Sequence, residues 1–140
     1  MMIARLFVGF SLMALCVVIH AVGVTAALRW LRQRVAGMGS FWPAIRLLVG
    51  VAIWVVLLHL VEIAAWAVLY TSNGAIADLP SALYFSAVTY TTTGYGDIVL
   101  PPPWRLDGGM EALTGILLCG WSTGFFFAVV SRFHDANGRS

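Results

Sequence analysis

Three long apolar stretches organise the chain, separated by short polar segments. Leu6–Leu28 carries no formal charge apart from one available to His20, Leu47–Leu69 is interrupted by His59 and Glu62, and Ala112–Ser131 begins just after Glu111. Crossing a bilayer takes about 20 apolar residues, so each stretch predicts a spanning helix. A fourth apolar run, Leu79–Tyr90, is too short to span and predicts a re-entrant helix. Asp78 is a good N-cap and Pro80 suits a first helical turn. The turn signal Ser72-Asn73-Gly74 precedes them. Behind the run, Pro101-Pro102-Pro103 stiffens the return and Trp104 offers an interfacial anchor. With no internal repeat, the order is span, span, half-helix, glycine-rich stretch, span. That order predicts an all-α membrane protein.

Composition agrees. The 140 residues are 61% hydrophobic and 10% charged, with mean hydropathy +0.91, where soluble domains carry about 25% charged residues. A net charge of +2, scattered along the chain, gives no footprint for nucleic acid. The first stretch also resembles a signal sequence, with Val24-Thr25-Ala26 as a weak cleavage site. Its 23 residues exceed the roughly 7–15 of a signal h-region, which favours a retained helix. Cys16 and Cys119 both fall inside spans and read as small apolar residues.

Orientation follows from arginine. The linker over residues 29–46 holds Arg29, Arg32, Arg34 and Arg46 beside Trp30, Phe41 and Trp42, and arginine favours the cytoplasmic side. Three crossings then put the N-terminus outside and the C-terminus, with Arg132 and Arg139, inside; Arg5 and Arg105 fall outside. Arg29 and Arg32 have a voltage sensor's spacing, but no third repeat follows, and they read as positive-inside charge. The arginine-only basic set points to a prokaryotic plasma membrane. Nine residues follow Ser131, so no soluble ligand domain is expected.

The chemistry concentrates in TTTGYGD, residues 91–97, on the predicted outer side. Irregular backbone at membrane depth needs burial in protein or a water-filled path. Successive carbonyls point at one axis if the backbone alternates between left- and right-handed conformations, and Gly94 and Gly96 permit the positive φ this requires. The carbonyls of Thr92, Thr93, Gly94 and Tyr95, with the Thr92 hydroxyl, would then replace the water shell of a dehydrated cation. One chain supplies one wall of such a ring and a closed ring needs four, which predicts a homotetrameric pore. The half-helix C-termini, aimed inward, add negative potential.

TTTGYGD resembles the potassium-channel signature, and helix, pore loop and helix together resemble the two-transmembrane ion-channel family over about Leu47–Val130. The resemblance implies a potassium-selective filter at Thr92, Thr93, Gly94, Tyr95 and Gly96, tetrameric assembly and gating by the inner helix. Potassium is then the permeant ion and no cofactor is expected. It also implies filter support from the aromatic pair Tyr84-Phe85, from Asp97 just outside the filter, and at Val88, where some bacterial members carry a glutamate. An Asp97–Tyr84 hydrogen bond is compatible with this arrangement. Thr93 stands where valine or isoleucine is common; its side chain is expected to point away from the axis.

The domain plan is then an N-terminal helix and interfacial linker (1–45), a pore domain (46–131) and a short tail (132–140). Within the pore domain the outer helix covers 46–70, the pore helix 79–91, the filter 92–97 and the inner helix 110–131.

Gly115, Gly120 and Gly124 punctuate the third span, either as close-packing glycines, Gly120 and Gly124 forming a GxxxG pair, or as a gating hinge. His59 and Glu62 share a helical face, and Glu111 starts the inner helix; together they form either a structural polar cluster or a pH-sensitive one. His20, alone in its span, reads as a packing residue rather than a metal ligand. No catalytic constellation appears. The favoured function is passive potassium conduction across the plasma membrane, with a non-conducting accessory subunit as the alternative. A potassium transporter subunit is disfavoured because such chains carry four degenerate pore loops.

Overall fold

The computed structural model describes residues 2–35 and 41–137. Part of the arginine linker (36–40), Arg139 and the Arg132 side chain lie outside the described residues. The order is α1 (Met2–Val35), α2 (Phe41–Ser72), α3 (Leu79–Tyr90) and α4 (Arg105–Asn137), with a 3-10 turn at Pro102–Trp104 leading into α4. Among the described residues the protein is all-helical, and three helices are long and apolar enough to cross a membrane: Arg5–Arg34, Trp42–Ser72 and Pro102–Ser131.

The long helices extend past the apolar stretches that announced them. α4 starts at Arg105 and not at 110, because Pro102 and Pro103 fit a first helical turn, where the missing N–H is not needed. Gly108 and Gly109 lie within the helix. At Gly108 an added Cβ would lie 3.2 Å from Leu100 Cδ1, so the small residue permits the return loop to pack on the helix.

α3 begins where its cap predicts. Asp78 is extended (φ −136°, ψ 152°) and its Oδ1 accepts the Ser81 N–H at 2.9 Å. That bond favours the charged form, holding the Asp78 carboxyl below its ordinary range.

α1 packs against both α2 and α4, and α3 wedges between α2 and α4. Two apolar layers result. One gathers Cys16, Trp66, Tyr70, Tyr90, Met110 and Leu118; the other gathers Val24, Leu47, Val51, Leu58, Phe125 and Val129. Arg5 stacks its guanidinium 4.1 Å from the Trp104 ring centroid, fixing the start of α1 beside the start of α4. Leu113, Ile116, Leu117 and Phe127 on α4 remain exposed. A helix this apolar on every side belongs in lipid or against other protein.

Candidate functional site

α3 ends by handing its last carbonyls to the loop that follows. The Thr91 N–H donates to Ala87 O (3.1 Å) and the Thr92 N–H to Thr89 O (2.9 Å). Val88 O accepts from both Thr93 N–H (2.9 Å) and Gly94 N–H (3.2 Å). Four consecutive amide protons are thereby turned back into the helix. Among the described residues no donor reaches the carbonyls of Thr92, Thr93, Gly94 or Tyr95.

The backbone then alternates in hand. φ is positive at Thr92 (59°), Gly94 (56°) and Gly96 (78°), and at neither Thr93 nor Tyr95. The two glycines adopt this conformation freely. Thr92 does not, since a β-branched residue at positive φ is a rare outlier, and nothing in its local sequence signals it. Residues 91–97 are all exposed. The Thr91 hydroxyl donates to Ala87 O at 2.7 Å and lies 2.9 Å from Thr93 Oγ1, so these two side chains face each other and the helix.

At the far end of the loop, the Tyr84 hydroxyl donates to Asp97 Oδ2 at 2.7 Å. Donating this hydrogen bond holds the Tyr84 phenol above its ordinary range. Phe85 meets Tyr70 edge-on, centroids 5.4 Å apart, and so holds the back of α3 against α2. Tyr84→Phe is expected to leave the fold intact while loosening this mouth. Hydrogen exchange should then speed up at amides 95–98 and remain unchanged across α2 and α4.

The polar residues of the spans fall into two groups. His59 and Glu62 pair as their spacing suggested, with Nδ1 to Oε2 at 3.1 Å. His20 joins them: its Nδ1 is 2.9 Å from Glu62 Oε1. Tyr90 donates its hydroxyl to Glu62 Oε2, and Ser122 Oγ lies 3.0 Å from His59 Nε2 and 3.1 Å from His20 Nε2. His20 is therefore not the isolated packing residue it seemed, and Tyr90 and Ser122 are members that the sequence did not single out. A histidine in an apolar span was the one available signal; its partner lay 42 residues away. Glu111 does not join this group. It is buried and accepts the Tyr70 hydroxyl at 2.9 Å, one layer removed.

The three glycines of α4 also separate. An added Cβ at Gly115 would run into the backbone carbonyl of Tyr90, with Tyr90 C at 2.7 Å. Gly115 is thus a contact glycine at the α3–α4 crossing. Gly120 and Gly124 meet nothing within 4 Å, so the GxxxG pair makes no close packing among the described residues.

A capped half-helix between two spanning helices, followed by a loop of alternating backbone hand, is the arrangement of a pore loop. An ion channel family model matches residues 47–132, more than half of the chain. The chain belongs to the ion channel family. The match covers α2 from Leu47 onward, α3 and the whole of α4's membrane span, and leaves α1 outside. Similar curated proteins include the voltage-gated potassium channel regulatory subunit KCNG3 of Mus musculus, 34% identical over 74 residues, 51% of this chain and 17% of that protein. The potassium voltage-gated channel protein shk-1 of Caenorhabditis elegans is 34% identical over 68 residues, 48% of this chain and 13% of that protein. The chain thus spans about a sixth or less of the length of these relatives. No solved structure matches.

Proposed function

We propose that four copies of this chain assemble around a common axis and conduct potassium passively across the plasma membrane. The observation that carries this reading is the alternation of φ at Thr92, Gly94 and Gly96 beside carbonyls that no donor among the described residues occupies. Alternating hand turns successive carbonyls to one side, and unsatisfied carbonyls at membrane depth need a partner. A dehydrated cation held by the oxygens of Thr92, Thr93, Gly94 and Tyr95 supplies one. Full exposure of residues 91–97 in a single chain fits a ring closed by three further subunits. Potassium is the ion named for the relatives and is assigned here by likeness to them. Arginine placement orients the N-terminus outside and the C-terminus in the cytoplasm.

A second reading is favoured by one observation: KCNG3, among the relatives, is named a regulatory subunit. On that reading the chain lends its loop to a mixed assembly and does not conduct alone.

Reversal potential separates the two. Purified tetramer in a planar bilayer, with potassium on one side and sodium on the other, is expected to reverse near the potassium equilibrium value. Reversal near zero would remove potassium selectivity. Silence in a verified tetramer would leave the accessory role.

A further inference from the structure

The His20, His59, Glu62, Tyr90 and Ser122 group joins all four helices in the layer between the two apolar clusters. Each imidazole turns Nδ1 to the Glu62 carboxylate and Nε2 to the Ser122 hydroxyl. Ser122 can accept from both Nε2–H groups with its two lone pairs, an arrangement that turns both Nδ1 lone pairs towards the Glu62 and Tyr90 oxygens.

We infer that His20, His59, Glu62 and Tyr90 form a binding site for a divalent transition-metal ion of the zinc class, with Ser122 orienting both imidazoles. His20, His59 and Glu62 each offer a ligand atom, all within 4.8 Å of one another, and the Tyr90 oxygen lies 3.0 Å from His59 Nδ1. A tetrahedral zinc with bonds of about 2.0 Å spaces its ligands by about 3.3 Å. The Nδ1-to-oxygen separations of 2.9, 3.0 and 3.1 Å fall a few tenths of an ångström short of that spacing, and the widest ligand-atom separation, within 4.8 Å, closes around the ion. Two imidazoles and two oxygens suit zinc. A hydrogen-bonded second nitrogen is what a ligating histidine ordinarily has, and Ser122 supplies it twice. With the Tyr90 phenol ionised on the metal and its proton released to solvent, zinc, carboxylate and phenolate sum to zero charge, which suits a site inside a bilayer. With 15% of its side chain exposed against none for Glu62, His59 is the outermost of the ligands. Occupancy would pin α1 to the pore domain and fix Tyr90, the residue directly before the loop.

The test uses the full chain, purified without a histidine tag, stripped with EDTA and titrated with zinc against a chromophoric chelator. One zinc per chain is expected, with X-ray absorption reporting two imidazoles in an all-N/O shell near 2.0 Å. Ser122→Ala should weaken binding by about 10–100-fold, and His20→Asn should weaken it more. Failure of the wild-type chain to hold zinc would overturn the site and leave the cluster as a hydrogen-bonded network between the four helices. Binding that survives both substitutions, or a shell with fewer than two imidazoles, would mean an adventitious ion only. The spectroscopic readout is taken on the wild type, so a variant that fails to fold does not spare the proposal.

Discussion

Gly94→Ala is expected to abolish potassium-selective current while leaving the fold and the assembly intact. Nothing lies within 4 Å of where the new Cβ would be, so the effect does not come from a clash. It comes from φ of 56°, which costs an L-residue roughly 1–2 kcal/mol. Relieving that strain rotates the peptide and swings a carbonyl off the proposed axis. In the proposed ring of four the strain is repeated in every subunit, roughly 4–8 kcal/mol in all, enough to remodel a loop whose carbonyls no donor among the described residues holds. Gly74→Ala is the matched control. Its φ is 67°, with equally open surroundings, but it lies in the α2–α3 turn. The two substitutions should lower thermal stability to a similar, small extent, and only Gly94→Ala should shift the reversal potential towards zero or silence the current. Wild-type reversal in Gly94→Ala would remove this loop from the conduction path.

What could be read ahead of the structure was whatever the sequence states locally. Asp78 and Pro80 announce α3 because capping involves residues three apart. Gly94 and Gly96 announce positive φ because only glycine is free to adopt it. The three spans are legible from length and composition alone. What was hidden depends on partners distant in sequence or on strain imposed by context. His20 looked isolated because Glu62 and Ser122 reach it from α2 and α4. Glu111 looked like a partner of His59 because both were costly polar residues in apolar spans, yet the helix register gives it to Tyr70. Thr92 carries no mark of its left-handed backbone, since threonine propensity argues against it. The start of α4 was expected at 110 because prolines usually punctuate, whereas here they open a helix at Arg105 and Gly108 makes room for Leu100.

Gly115→Ala should be the most damaging single substitution on α4, and the contrast with its neighbours decides what each glycine does. At Gly115 the added methyl meets the Tyr90 carbonyl and lies 3.1 Å from Tyr90 Cδ1. A flexible side chain can move aside; the backbone at the end of α3 cannot without dragging Thr91 and the loop with it. Overpacking of this kind costs about 1–3 kcal/mol, and a backbone obstacle puts it at the upper end. Thermal unfolding in detergent should therefore show a lower midpoint and a loss of assembled protein for Gly115→Ala. Gly120→Ala and Gly124→Ala face open space. In a helix interior alanine is better than glycine by about 0.5–1 kcal/mol, so both should hold or raise the midpoint. If they nevertheless change open probability, their role is bending of α4. If they lower the yield of assembled protein, their role is packing between subunits. A Gly115→Ala chain as stable as the wild type would mean that α3 and α4 do not cross at this glycine, and the placement of Tyr90 beneath the loop would fall with it.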